Sequence, residues 1–364
     1  MRTKDELLHI LAQFELADVP VSAEPFGNGH INDTLKVVNA AGETKYILQR
    51  INHAIFTDVE LLQNNIHTVT SCIRQHLEAR GEADIDRKVL TFLPAKDGKR
   101  YFYDGESYWR VCLFISGSVS KEEVTPASSY EAGKAFGEFQ AMLADLPDGA
   151  LGETIPNFHN MEFRLQQFHD ALAADAAGRA DEVEDLIGEI EARAEAMCIQ
   201  ERLHREGTLR KRTNHCDTKV NNILFDQEGG VLCVIDLDTV MPGFVLSDIG
   251  DFIRTACNTG AEDDADLDRV GVNMDVFRAY TTGYMEAAQS FLTKEEIALL
   301  PYGGRMLTYM QTVRFLTDYL NGDTYYKTHH PGHNLQRTRA QFKLLQCLEE
   351  AAPAMDAFMQ PWLA

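Results

Sequence analysis

Hydrophobic positions along the chain follow two periods. Leu7, Leu8, Leu11 and Phe14 recur at helical spacing behind a Thr3-x-x-Glu6 capping box, which predicts a short amphipathic helix serving packing only. Apolar runs of strand length follow at 35–38 and 46–51, around an Ala41-Gly42 turn. They return at 89–93, 100–103 and 108–115. Between them Val59, Leu62, Ile66, Val69 and Ile73 place one apolar face on a helix over 58–77. The first third therefore predicts a mostly antiparallel sheet with one inserted helix. Ser116-Gly-Ser-Val-Ser120 is the expected linker. Beyond it the pattern turns helical, over 129–143, 162–203 (two Ala- and Glu-rich helices), 277–291, 294–320 (broken near Pro301-Tyr-Gly-Gly304) and 335–351. No internal repeat is visible.

One stretch interrupts the helical half. In 213–238, two short apolar runs flank the turn Gln227-Glu-Gly-Gly230, a hairpin signal. His215, Asp217, Lys219 and Asn222 precede the first run, and Asp236 and Asp238 follow the second. A hairpin brings its outer ends together, so these groups are expected to converge. The spacing H-x-D-x-K-x-x-N, with a later acid, is that of a phosphoryl-transfer catalytic loop. Asp217 then orients the attacking hydroxyl and accepts its proton. Asn222 and Asp236 hold Mg²⁺, which takes few protein oxygens and completes its shell with phosphate and water. Lys219 neutralises phosphate or touches substrate, and His215 completes the catalytic group as a support for the loop. Asp238 is open between a second metal ligand and a contact to the loop. Asp248 and Asp251 are open between bracing the loop and capping a helix that starts near Ile249.

Gly27-Asn-Gly-His-Ile-Asn32 is a candidate phosphate loop, with backbone N–H groups at Gly27 and Gly29. Arg50 is a candidate fixed cation for the nucleotide phosphates. Period two puts Tyr46, Leu48 and Arg50 on one strand face and Ile47 and Gln49 on the other, and it leaves open which face meets ATP.

The 364 residues, 45% apolar, support two lobes around sizeable cores. The expected division is 1–115, a nucleotide-binding lobe, and 116–364, a helical lobe carrying the hairpin. The fold class is α+β, bilobal and protein-kinase-like, with nucleotide between the lobes. The net charge of −22 works against nucleic acid and anionic membranes as partners, and it means that ATP needs local cations or a metal. Within that balance, Glu262-Asp-Asp-Ala-Asp-Leu-Asp268 reads as a solvated acidic loop. Seven cysteines without a C-x-x-C pair suggest reduced, buried thiols in a cytoplasmic protein. No apolar run reaches membrane-spanning length, and the first residues lack a signal-peptide core.

His215-Cys-Asp-Thr-Lys-Val-Asn-Asn222 with Ile235-Asp-Leu-Asp-Thr239 resembles the aminoglycoside phosphotransferase and choline kinase superfamily. More narrowly, the chain is similar to the bacterial N-acetylhexosamine 1-kinase family. The matching stretches run from Gly29-His-Ile-Asn32 and Tyr46-Ile-Leu-Gln-Arg50 through Ala135-Phe-Gly-Glu-Phe-Gln140 and Asp248-Ile-Gly-Asp251. They continue to Arg314-Phe-Leu-Thr-Asp-Tyr-Leu320 and His333-Asn-Leu-Gln-Arg-Thr-Arg339. The resemblance implies ATP- and Mg²⁺-dependent phosphorylation of the anomeric hydroxyl of N-acetylglucosamine or N-acetylgalactosamine. It also implies that His30, Arg314 and Tyr325, with Asp217, contact the sugar. Cys216 departs from the family pattern, and the β3 lysine of protein kinases is absent. Choline, homoserine and aminoglycoside kinases, or an inactive nucleotide-binding kinase fold, are the alternatives.

Overall fold

Thr3 caps helix α1 (Lys4–Leu11) through the reciprocal bonds of its capping box. Strands β1 (Pro20–Pro25), β2 (Asp33–Asn39) and β3 (Thr44–Ile51) follow, then α2 (Val59–Ala79) and a single turn, α3 (Ile85–Lys88). Next come β4 (Phe92–Leu93), β5 (Phe102–Tyr103), β6 (Tyr108–Leu113) and β7 (Val119–Ser120), leading to α4 (Pro126–Met142), α5 (Met161–Ala174), α6 (Glu184–Met197) and α7 (Ile199–Arg205). The hairpin region holds β8 (Arg212–Asn214), β9 (Ile223–Phe225), β10 (Val231–Val234) and β11 (Met241–Gly243). Helices α8 (Val245–Ala256), α9 (Met274–Ala288), α10 (Lys294–Leu320) and α11 (His333–Leu363) end the chain. This computed structural model describes residues 2–27 and 31–364, so the candidate positions Gly29 and His30 lie outside the described residues. The chain is α+β as expected, with an antiparallel-sheet N-terminal region and a helical C-terminal region.

Two compact units form. The first is Met1–Lys121 with Asp145–Pro156 and Asn221–Met241; the second is Glu122–Ala144 with Asn157–Val220 and Pro242–Ala364. The expected division was a single cut at 115, whereas these units are each discontinuous in the chain. The hairpin, expected with the helices, belongs to the first unit. Strand β7 pairs with β9 (Val119↔Phe225, Ser120↔Leu224), which gives the short hairpin a third strand and ties it there.

The main sheet of the first unit runs β1-β2-β3-β6-β4, with β5 also on β6. Prolines at both ends of β1 are tolerated because it is an edge strand. Tyr46, Leu48, Trp109 and Val111 point to one face and pack with Leu7, Leu11 and Phe14. The opposite face carries Gln49 and Arg110, directly paired across β3 and β6. The runs at 89–93 and 100–103 contribute only two residues each to the sheet, because Val89 ends α3 and the chain turns at Gly98, whose φ is 84°.

In the second unit, glycines allow helices to cross backbone to backbone. A Cβ on Gly133 of α4 would lie 2.0 Å from the Tyr280 carbonyl oxygen of α9, and one on Gly283 would lie 2.1 Å from that of Tyr130. Helices α8 and α10 meet the same way, with 2.3 Å from a Gly250 Cβ to the Gly303 oxygen and 2.3 Å from a Gly303 Cβ to the Leu246 oxygen. The break expected near Pro301-Tyr-Gly-Gly304 does not occur. α10 runs through it because these glycines are its contact face for α8, not a turn. Segment 162–203 holds three α-helices, and α11 extends well past the expected 351.

The acidic run is knit into the second unit. Arg254 donates to Glu262 at 2.6 Å, His333 meets Asp263 at 2.8 Å, and Asp264 accepts the N–H groups of Ala261 and Asp266. All seven cysteines are free thiols, and Cys112, Cys216, Cys233 and Cys257 are buried. Among the described residues no helix is long and apolar enough to cross a membrane.

Candidate active site

The hairpin forms in the predicted place, with Val234 opposite Ile223 and Val231 opposite Phe225. At its open end the Ile235 N–H donates to the Asn222 carbonyl at 2.9 Å, which brings Asn222 and Asp236 together. Asp236 takes a left-handed φ of 59° and turns the chain into the 3-10 turn Leu237–Thr239. That conformation costs a non-glycine residue ~1 kcal/mol, and its retention here holds the exposed carboxylate at the hairpin mouth. Among the described residues no group of three or more His, Cys, Asp or Glu side chains forms a metal cluster. One carboxylate and one amide oxygen nevertheless fit a hard divalent ion whose shell is completed by phosphate and water.

Asp238 is not available to a metal. Arg110 grips it with Nη1 at 2.5 Å and Nη2 at 2.9 Å, both side chains being 3% exposed. The Asn32 amide donates to the same carboxylate, and the Thr154 hydroxyl bonds the Asp238 carbonyl at 3.0 Å. Gln49 accepts from Arg110 Nε at 2.9 Å and donates to Thr34 at 3.1 Å, so Gln49 is the β3 side chain that meets this pair. Arg50 lies on the other face, the face of α1, with Asp33 taking its Nε at 2.7 Å. The nucleotide contact assigned to Arg50 would thus have to be made from the side of the sheet away from Asp238. Gly27 is left-handed, with φ 74°, and open space where a side chain would stand.

His215, Asp217 and Lys219 belong to the second unit, where α8 braces their loop. Asp248 accepts the N–H groups of His215 at 2.8 Å and Cys216 at 2.7 Å, and Asp251 accepts that of Thr218 at 3.1 Å. Both acids therefore brace the loop; the helix cap falls at Phe244 instead. Burial pushes the Asp248 carboxyl up to about 6, against the bonds from His215, Cys216 and Gln140 that favour its charge. Gln140 of α4 donates to Asp248 at 2.7 Å and accepts from the Tyr284 hydroxyl of α9. The glycine-mediated crossings of α4 with α9 and of α8 with α10 thus fix the loop from two sides.

Cys216 takes a left-handed φ of 64° within this bonded loop and is buried, 6% exposed. His215 is wholly buried, its ring edge-on to Phe136 and Phe139. Lys219 lies 2.8 Å from Asp217. Burial alone would lower the Lys219 ammonium, but the charges of Asp217 and Asp251 raise it, so it stays protonated beside the half-exposed Asp217 carboxylate.

Also in the second unit is a cleft of about 450 Å³ lined by Arg164, Arg314, Thr317, Tyr325 and Tyr326 among others. Arg314 does not pair with Asp318, one turn on. Asp318 accepts the backbone N–H groups of Thr324, Tyr325 and Tyr326 and so shapes the cleft wall. Arg314 instead lies over the Phe158 and Tyr326 rings, with Gln311 as its hydrogen-bond partner at 3.2 Å. Tyr325 is 70% exposed. His159, next to Phe158, is pushed down to about 3 by burial and by the charges of Arg314, Arg164 and Arg254, with Asp217 opposing. It is neutral at any physiological pH.

Sequence reasoning missed Arg110, Gln140, His159, Arg164 and Tyr326. Arg110 had a signal, a charge in the middle of the apolar run 108–115. The others had none at the level of one segment.

A model of the phosphotransferase enzyme family matches residues 22–280. The chain belongs to that family. It is accordingly a phosphotransferase of the aminoglycoside phosphotransferase and choline kinase superfamily. Solved relatives share the fold at low identity. An aminoglycoside phosphotransferase from Alicyclobacillus acidocaldarius is 13% identical, covers 96% of each chain and superposes with a TM-score of 0.62. A spectinomycin phosphotransferase solved with ADP and spectinomycin is 12% identical, with 97% of this chain and 98% of that one covered and a TM-score of 0.58. A choline/ethanolamine kinase family protein from Mesorhizobium loti is 14% identical, with 99% and 98% covered and a TM-score of 0.54.

Proposed function

We propose that this phosphotransferase moves the γ-phosphate of ATP to the anomeric 1-hydroxyl of N-acetylglucosamine or N-acetylgalactosamine. The observation that carries the acceptor is the Arg314 cleft, whose guanidinium is free of carboxylate and faces aromatic rings. Guanidinium donors suit hydroxyl and acetamido oxygens, and the rings of Tyr325 and Tyr326 suit the apolar face of a sugar. Asp217 orients the anomeric hydroxyl and takes its proton, with Lys219 2.8 Å away and the Asp248 and Asp251 bonds keeping its loop in place. Asn222 and Asp236 would hold Mg²⁺, which when bound neutralises charge on the transferring phosphoryl group. Gly27 remains the phosphate-loop candidate, and ATP binding is supported by the spectinomycin enzyme's complex with ADP.

A coupled ADP-release assay tests this across N-acetylglucosamine, N-acetylgalactosamine, choline, homoserine and an aminoglycoside, with ³¹P NMR to place the phosphate. Turnover restricted to the N-acetylhexosamines, giving an anomeric phosphate, is expected. Higher kcat/KM on any other acceptor overturns the sugar assignment.

A further inference from the structure

Arg164 stands on α5 on the same cleft as Arg314 of α10. Its Nη1 donates to Gln167 at 2.8 Å and its Nη2 to the Phe158 carbonyl at 2.9 Å, while the buried Nε has no partner. Among the described residues, no carboxylate lies within ion-pair distance of Arg164 or Arg314. Two acids do line the cleft. Asp318 is occupied by three backbone N–H groups and the Asn334 amide, and Asp170 accepts from Gln166 at 2.8 Å. Neighbouring cations repel, and burial makes that arrangement costly unless something supplies electron-rich oxygen. Consistently, burial and the adjacent Arg314 charge pull the Arg164 guanidinium down to about 10, which leaves Arg164 charged at neutral pH. The imidazole of His159, close enough to feel both charges, leaves a buried Nδ1 without a partner.

We infer that Arg164 and Arg314 form a two-guanidinium subsite that receives a carbonyl-type oxygen of the acceptor, from an amide or a carboxylate, and rejects acceptors presenting an ammonium group there. This rests on the reading of the cleft as the acceptor site. It names Arg164 as a second specificity residue, and it sets this chain apart from any enzyme of the fold whose acceptor is a polycation or a quaternary amine. A carboxylate or amide oxygen can bridge the two planar donors, whereas an ammonium would add a third positive charge.

Initial rates are measured on N-acetylglucosamine, its 6-carboxylate, glucosamine and choline. The acetylated or carboxylated sugar should exceed glucosamine and choline by about 100-fold or more in kcat/KM. Glucosamine or choline within about threefold of the best acceptor overturns the subsite. R164Q should raise KM for the preferred acceptor about 10-fold or more, with KM for ATP and the Tm near wild type. R164K, which keeps the charge but not the fork, should fall between the two and decides the matter if R164Q does not fold. An acceptor KM unchanged in whichever of these variants folds overturns the proposal. Turnover of the carboxylated sugar but of neither N-acetylhexosamine would refute the hexosamine reading and leave the subsite standing. An unchanged KM in folded R164Q with full hexosamine turnover would do the reverse.

Discussion

Arg110 and Arg212 live differently from Arg164 and Arg314. In the first unit Arg110 is saturated by the Asp238 carboxylate, Gln49 and a buried setting. In the second, Arg212 binds Glu296 with Nε at 2.7 Å and Nη2 at 2.8 Å, both side chains nearly inaccessible. Arg164 and Arg314 have only carbonyl, amide and ring partners, and they line open space. A guanidinium that faces a buried carboxylate has done its work within the fold. One left with neutral acceptors retains donor capacity for a ligand. The acids differ likewise in exposure, with Asp238, Asp248 and Asp318 buried against partners in the chain, Asp217 part-exposed beside Lys219 and Asp236 exposed.

The largest effect expected tests the accessible side. Asp217→Asn should lower kcat by about 10²–10⁴-fold with Tm and both KM values little changed. Steady-state kinetics and a melting curve check it, and a variant within about threefold of wild type would move Asp217 to the structural side. On the spent side, Asp238→Ala leaves Arg110 buried without its counter-charge and should destabilise by ~3–5 kcal/mol in denaturant titration. The double variant R110M/D238L should be more stable than Asp238→Ala, since it removes both charges. If it is not, the pair is more than a structural one.

Next comes Arg314→Ala, which should raise KM for the N-acetylhexosamine by about 10-fold or more, equivalent to ~1.5–3 kcal/mol. Its Tm without sugar and its KM for ATP should stay near wild type. A joint loss of stability and of both affinities would place Arg314 with Arg110 instead.

The smallest effect concerns Asp248, whose carboxyl is raised from 3.8 to about 6 by burial. The folded chain therefore holds this proton more tightly than the unfolded chain. The group's stabilising contribution is complete below about pH 4 and is lost as pH rises through about 6. Catalysis should move the other way, because protonation removes an acceptor from the N–H groups of His215 and Cys216. The expected result is a kcat that falls reversibly below pH 6 without any fall in Tm traceable to Asp248. Asp248→Asn should show a low kcat at every pH. A wild-type profile flat from pH 5 to 7 would mean that the loop does not need the charged form.

The hairpin was legible because it is local. The hairpin follows from two apolar runs and a Gly-Gly turn, and Asp217, Lys219, Asn222 and Asp236 stand in fixed spacing around it. The β3 face choice was not legible. Alternation says that Gln49 and Arg50 oppose each other, but only the pairing of β3 with β6 shows which one meets Arg110. Glycines misled at 303–304, where a turn signal was a contact face; a lone sequence cannot show the approaching backbone of α8.

The sequence by itself determined the α+β plan, the hairpin and the family, because hydrophobic period, turn chemistry and motif spacing act over a few residues. Only the tertiary structure decided which charges the fold consumes. Arg110 and Asp238 are 128 residues apart, and Gln140 reaches Asp248 across 108. Whether a charged side chain is paired or left open to a ligand depends on desolvation and on partners brought from distant segments. Neither quantity exists until the helices and sheets have packed.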